Sequence, residues 1–486
     1  MPSEPRIVIV GAGIGGLAAA IHLAAAGRPV LVLERAAVPG GKVATAAVGG
    51  VAVDTGPAVL ALRPVFEALF EAGGGSLAAE LALDPLPVLG RHLWPDGRRL
   101  DLMADPAAAE EAIGDFAGPS AARGFRDFVA RAARVYRALE GPFLTVQRPG
   151  MLALGARVGP ALRGTSPFGT MWDALGEHFA DPRLRQVFGR MAAYVGSSPL
   201  QAPATLLLVA HVEMSGLQVV RGGMVRLAQA LAARAAACGA DIRYGAPVAE
   251  LLVRGGRIAG LRLADGQAVA AEQVVLNADP AGLPAGAFGR AAAAAVPALP
   301  ASRRSFSAFG WAMAGRAEGP DLPRQAVFHP ADAAAEYAAL ARGRMPAVPT
   351  VTLWAQGRLA PAAPPEGAEP LLALVAAPAR GDTQKLDPAP PRAAMQAALA
   401  GAGVTLRAAA EVVATPQDHA ARAPGTGGAL YGAAVQGWQS IFHRPAARTA
   451  LPGLFLAGGA THPGAGIAMA ALSGRLAAAA VMGEKP

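Results

Sequence analysis

Four consecutive apolar residues, Ile7 to Val10, form the first regular pattern in the chain, and so short and unbroken a run predicts a strand buried on both faces. Helical spacing of apolar positions follows from Leu17 to Gly27, and Val30 to Leu33 is a second buried strand. Between strand and helix stand Gly11, Gly13, Gly15 and Gly16. Gly11 permits a tight turn, Gly13 leaves room for a pyrophosphate against the main chain, and Gly16 lets the helix approach the strand. Ile14 and Gly15 begin the helix end on which an anion rests. Glu34 closes the unit, 23 residues after Gly11, where its carboxylate suits the two hydroxyls of an adenosine ribose and repels a phosphate. Strand, turn, helix, strand and acid together point to an adenine dinucleotide.

Further along, the pattern departs from simple strand and helix alternation. Arg35 follows the acid, and Gly40, Gly41 and Lys42 form a second glycine cluster that leads into a short β-rich passage ending at Asp54, Gly56 and Pro57. A main chain passing close to a ribityl and flavin portion needs such a second bare stretch, so flavin adenine dinucleotide (FAD) is the better match. Pro64 to Gly73 predicts a short helix, and Pro95 to Gly97 a hairpin turn between two strands. Ala107 to His211 is mostly helical; strand and helix alternation returns from Gly216, with Val274 to Leu276 as another buried strand. Residues 305 to 376 read as β-rich with one helix near Ala333, and the segment from Leu454 is strand, glycine-rich turn and helix once more. The expected fold is α/β: a discontinuous Rossmann-like FAD-binding domain over 1–75, 216–285 and 420–486, a β-sheet substrate domain over 76–105 and 286–419, and a helical lid facing membrane or substrate over 106–215.

Composition narrows the partners. Hydrophobic residues make up 53% of the 486, but charged residues are 16% and aromatics 5%, so alanine carries much of the apolar count. No run approaches the ~20 strongly apolar residues a spanning helix needs. The chain begins close to its first strand, leaving no room for a signal peptide, and a single cysteine, Cys238, permits neither an internal disulfide nor a cysteine metal cluster. A reducing cytoplasm is expected. The net charge of +8 comes from dispersed arginines without a nucleic-acid module, which argues against DNA or RNA and leaves peripheral contact with anionic lipid open.

The segment "LFLAGGATHPGAGIAMAALSG", Leu454 to Gly474, resembles the bacterial phytoene desaturase and carotenoid dehydrogenase family. "PGGK" at Pro39 to Lys42, "DTGP" at Asp54 to Pro57, "RGGM" at Arg221 to Met224 and "NADP" at Asn277 to Pro280 fall in the family's order, and the resemblance spans essentially the whole chain. Within it, "GPAVLALRPVFEALF", "RHLWPDGRRLDL" and "DPRLRQVFGRMAAYVGSSPLQAPA" are most similar to the hydroxyneurosporene desaturases of phototrophic bacteria, although Ala58 stands where Thr is the expected residue. The resemblance implies an amine-oxidase-like flavoprotein architecture and a carotenoid that gives a hydride equivalent to FAD and a proton to a base. It implies a peripheral place on the inner or photosynthetic membrane and reoxidation by oxygen or a quinone. The resemblance also implies that Gly458, Gly459, Gly466, Ile467 and Met469 approach the flavin, with the last helix's N–H groups toward its pyrimidine carbonyl, and that the main chain at Val248 holds the adenine edge. Gly459 and Ala460 stand where related amine oxidases carry an acid for the ribityl chain.

Catalytic residues are less legible. His462 and Asp54 are candidates, each with a plainer reading as a turn-stabilising side chain. His178 and Asp173 read as solvated, and Phe306, Phe309 and Trp311 fit either a polyene tunnel or an ordinary core strand. Metallohydrolase and serine hydrolase motifs are missing. A phytoene desaturase, a carotene isomerase and an amine oxidase are the enzyme alternatives. A prenyl-binding escort protein on the same fold is disfavoured by the intact glycine turns.

Overall fold

The computed structural model describes residues 7–147 and 169–484, so part of the expected lid and both chain ends lie outside the described residues. A five-stranded parallel sheet runs in the order Leu454–Leu456, Gln273–Leu276, Ile7–Val10, Val30–Leu33, Asp241–Arg243. Its strands come from three distant stretches of chain, and the first strand lies at its centre with both faces buried. The helix after it spans Ile14–Ala25, beginning three residues before the apolar spacing announces it, because Gly13 takes the extended N-cap conformation and Gly15 and Gly16 fall inside the first turn. Beside it lies the last helix, Ile467–Met482. A Cβ on Gly474 would stand 2.2 Å from the Gly15 carbonyl oxygen, so only glycine allows these two helices to cross where they do.

A second sheet of seven strands has the order Thr405–Ala414, Ser307–Glu318, Glu369–Ala377, Val351–Ala355, Gln325–Phe328, Val88–Leu93, Arg99–Met103. Period-two alternation assigns its faces. Phe309, Trp311 and Met313 point outward into a core with Met395 and Leu399 of the helix Ala389–Gly401. These aromatics are therefore core, while Phe306 packs separately with Tyr337 and Leu340. Ala312, Ala314 and Leu372 face inward onto Val48 and Val53 of the hairpin Thr45–Val48/Val51–Asp54. Helices between Pro106 and Met214 close over one end of this sheet around a cluster of Phe125, Phe128, Phe179 and Phe188. Ring centroids within it lie 4.6 to 5.8 Å apart, and burying each ring contributes roughly 1.5–3 kcal/mol. Among the described residues no helix is long and apolar enough to cross a membrane.

Glu336, in the first turn of the helix Ala333–Ala341, is buried and accepts hydrogen bonds from the Thr350 N–H (2.8 Å) and hydroxyl (2.6 Å). Burial pushes its pKa up to about 7, against the opposing pull of Thr350. Between the ordinary carboxyl value and about 7 the folded chain keeps a proton that the unfolded chain has released, so stability is highest below that window and falls as pH rises through it. The loss amounts to about 3 kcal/mol. Thermal unfolding across this range will show the slope in the native protein and its disappearance in Glu336→Gln; an unchanged slope in the variant would reject the assignment.

Candidate active site

The glycine turn sits at the carboxyl end of the central parallel strand, where open α/β sheets receive their ligands. Its walls are backbone. The Gly40 N–H donates to the Ala12 carbonyl (2.9 Å), Gly13 and Gly40 form a parallel bridge, and a Cβ on Gly41 would lie 3.4 Å from the Gly13 Cα. Glu34 is buried beside the turn; one carboxylate oxygen accepts the Ala12 N–H at 2.7 Å and the other the Ala36 N–H at 2.8 Å. Two hydrogen bonds leave lone pairs on both oxygens, enough for a pair of ribose hydroxyls. The Ala246 N–H donates to the Glu34 carbonyl at 2.8 Å, which brings the chain leading into Val248 alongside the acid. Arg35 is exposed and donates to the Arg422 carbonyl.

The second glycine turn meets the first through Asn277. Its side-chain amide donates to the Gly11 carbonyl (3.2 Å), and its amide oxygen lies within 3 Å of where a Cβ on Gly15 or Gly458 would stand. The Gly458 N–H in turn donates to the Ser473 hydroxyl at 3.2 Å. Arg444 joins this turn to the segment before it, donating to the carbonyls of Gly459 (3.1 Å), Tyr431 (2.9 Å) and Ala433 (2.9 Å). Gly466 caps the last helix, and Ile467 and Met469 in its first turn pack partly against the core.

Lys42 closes the gap between the turns by donating to the Leu430 carbonyl. Its side chain is accessible, yet protein surrounds it: burial pushes the ammonium below its usual pKa, Asp279 opposes this and Arg444 adds to it. A residue both enclosed and accessible lines a cleft. Gly56 is pressed on the Lys42 carbonyl, with Pro57 next to it, and the neighbouring Ala58 carbonyl accepts Arg324 at 3.2 Å. One carboxylate oxygen of Asp279 and the Thr461 hydroxyl are buried with no hydrogen-bond partner among the described residues. A bare glycine cradle, an acid beside it and unpartnered polar atoms along the same cleft fit a dinucleotide with a polar chain and ring.

Comparison with known proteins agrees with this geometry. The family model for flavin containing amine oxidoreductase matches residues 14–310 and 337–482. The chain belongs to this family. Among the relatives of this amine oxidoreductase, a hydroxyneurosporene desaturase of Rubrivivax gelatinosus is 43% identical, with 98% of this chain and 93% of that protein aligned. A hydroxyneurosporene desaturase of Cereibacter sphaeroides is 42% identical over 99% of this chain and 98% of its own. Putrescine oxidase is similar in fold, with a TM-score of 0.62 at 16% identity and 99% of each chain covered. The cofactor of the family is flavin, and that of this chain is FAD.

Two catalytic candidates are occupied with structure in this flavoprotein. Asp54 does not organise its own turn: its two carboxylate oxygens accept from the Thr45 hydroxyl (2.9 Å) and the Met224 N–H (2.8 Å), while its main chain exchanges two hydrogen bonds with the Gln356 amide. Asp54→Ala strands the buried Met224 N–H, and denaturant titration should show a loss of about 2 kcal/mol; no change would place this clamp elsewhere. His462 points away from its own turn and bonds the Phe143 carbonyl at 2.9 Å, its ring edge-on to Phe143, with burial holding its pKa below the ordinary value. His178 is not simply solvated either, since it lies 3.3 Å from Arg131 and edge-on to Phe128; Asp173 is paired with the capping Thr170.

The sequence reading missed Asn277 and Arg444, and a polar group on the substrate side. Asn277 was detectable as a polar residue that, like Glu34, directly follows a buried strand beside the glycine turn. Arg190 and Glu213, buried and paired through two hydrogen bonds of 2.7 and 2.9 Å, come from two successive α-helices and lie 23 residues apart, so no spacing within one helix announces them. His92 and His329 share a 2.9 Å contact on the inner face of the large sheet, and burial, with Arg190 nearby, depresses both pKa values.

Proposed function

We propose that the protein is an FAD-dependent carotenoid desaturase that introduces a carbon–carbon double bond into a C40 polyene with an oxygenated end, 1-hydroxyneurosporene or its methoxy derivative. The near-full-length identity to hydroxyneurosporene desaturases carries this reading, and the joined glycine turns supply its cofactor cleft. Bound FAD supplies the hydride acceptor for the reaction. Gly11, Gly13, Ile14, Gly15 and Gly16 hold the pyrophosphate, Glu34 the ribose, and Arg35 and Val248 flank the adenosine. Gly41, Lys42, Gly56 and Pro57 line the ribityl side; Gly458, Gly459, Gly466, Ile467 and Met469 line the ring. The three stretches 1–75, 216–285 and 420–486 make up the FAD-binding domain, and the large sheet with the helices over its end makes up the substrate side. Such a substrate resides in a bilayer, so the protein works peripherally at the inner or photosynthetic membrane and passes electrons to oxygen or a quinone.

Expression in cells that accumulate neurosporene or its hydroxylated derivative tests this. Bound flavin in the purified protein and a red-shifted carotenoid from the hydroxylated precursor are expected. Conversion of phytoene instead would move the protein to the sister desaturases, and failure to bind flavin even on reconstitution would leave a lipid-binding escort.

A further inference from the structure

Tyr194, directly after the helix Pro182–Ala193, is enclosed by protein and still partly accessible, so it borders an internal space. Its hydroxyl oxygen accepts two hydrogen bonds, from Arg190 Nε at 3.1 Å and from Gln325 Nε2 at 2.6 Å. A phenol oxygen accepts at most two, so both lone pairs are filled. Its proton has no acceptor among the described residues. Neither donor is free to turn away. Arg190 is held by Nη2, which donates to both Glu213 oxygens, and by Nη1 on the Val187 carbonyl, and Gln325 lies on a strand whose Ala326 and Phe328 point into the outer core, which directs Gln325 to the inner face.

This group stands close to the cofactor cleft. Burial, with Tyr194 nearby, raises the pKa of Tyr431, and the Tyr431 ring approaches within 2.7 Å of where a Cβ on Gly196, two residues past Tyr194, would stand. The Tyr431 carbonyl shares Arg444 with Gly459 of the second glycine turn. Tyr194 therefore stands where the substrate side meets the second glycine turn.

We propose that the Tyr194 phenol is the donor that recognises the oxygen at the end of the carotenoid, with Arg190 and Gln325 as its positioning residues. The inference rests on the desaturase reading above and adds the basis of its selectivity. A hydroxyl and a methoxy oxygen both accept a hydrogen bond, so one fixed donor serves both; a hydrocarbon end would leave the phenol's proton unpaired in an enclosed site. A donor beside the cofactor cleft suits a substrate whose oxygenated end is also the end that reacts.

The test is the ratio of kcat/KM for 1-hydroxyneurosporene to that for neurosporene, measured on the flavin-loaded protein in lipid vesicles. Tyr194→Phe should lower kcat/KM for the hydroxylated substrate by roughly 10- to 100-fold while flavin content and the rate on neurosporene stay nearly unchanged. Gln325→Met keeps the phenol but frees one of its lone pairs, so it should give a smaller loss of the same selectivity and carries the test if the first variant is unstable. Equal losses on both substrates, or a preference kept in both variants, would overturn the inference alone. A native protein that binds flavin yet converts neither substrate would overturn the desaturase reading and this inference with it.

Discussion

Gly16→Ala will leave the protein without flavin. A Cβ at this position would stand 2.1 Å from the Gly11 carbonyl oxygen and 2.9 Å from the Asn277 amide nitrogen, distances that no rotamer change relieves because the first obstacle is backbone. The turn must open, and Gly11, Asn277 and through it Gly458 move with it. Overpacking of this kind costs about 3 kcal/mol or more, which corresponds to roughly a 100-fold loss of cofactor affinity. The visible flavin spectrum of the purified protein measures it directly. Gly401→Ala is the control: a Cβ there meets nothing within 4 Å at the exposed end of its helix, so flavin content should match the native protein. Full flavin loading in Gly16→Ala would mean that this turn does not hold the dinucleotide.

Arg358→Met will cost more stability than any surface change. Arg358 and Glu369 form an ion pair with side chains 4% and 2% exposed, and the guanidinium also reaches the Ala362 carbonyl at 2.7 Å and the Leu322 carbonyl at 3.4 Å. Glu369 begins the strand Glu369–Ala377, and its carboxylate also accepts the Ala317 N–H of the neighbouring strand at 3.4 Å. Removing the cation leaves a buried carboxylate without its partner, a change worth about 3–5 kcal/mol. Denaturant titration should show that loss, and Arg358→Met combined with Glu369→Leu should recover a large part of it, since replacing both charges with apolar groups is nearly neutral in many buried pairs. A loss below about 1 kcal/mol for the single variant would mean that water already reaches this pair.

The cofactor side of the molecule was readable because its determinants are local. The strand Ile7–Val10 and the strand Val30–Leu33 are unbroken apolar runs, and glycines at a turn constrain only their immediate neighbours. The strand Thr405–Ala414 shows the opposite case. It lies on an exposed sheet edge, and its larger apolar residues, Leu406, Val412 and Val413, do not alternate to announce it; its pairing with Ser307–Glu318 imposes the extended form. Tyr244, although it continues the β-favouring run, lies just beyond Asp241–Arg243 because only those three residues pair with Leu31–Leu33. The substrate side was opaque for a third reason: Arg190 and Tyr194 at one helix end, Glu213 on the next α-helix and Gln325 on a strand of the large sheet come from three separate elements, and only the fold makes a single hydrogen-bonded group of them. Asp54 and His462 drew attention as chemistry near glycine turns, and both are held by hydrogen bonds to distant segments that sequence spacing does not reveal.

The most direct test of the desaturase assignment is a single turnover without oxygen. Oxidised, flavin-loaded protein is mixed with 1-hydroxyneurosporene in vesicles, and the flavin band and the polyene spectrum are followed together. The account predicts that the flavin band bleaches at the same rate as the polyene absorption moves to the red, with one new double bond formed per flavin. A flavin that stays oxidised while the hydroxylated polyene remains unchanged, or one that bleaches with phytoene alone, would contradict it.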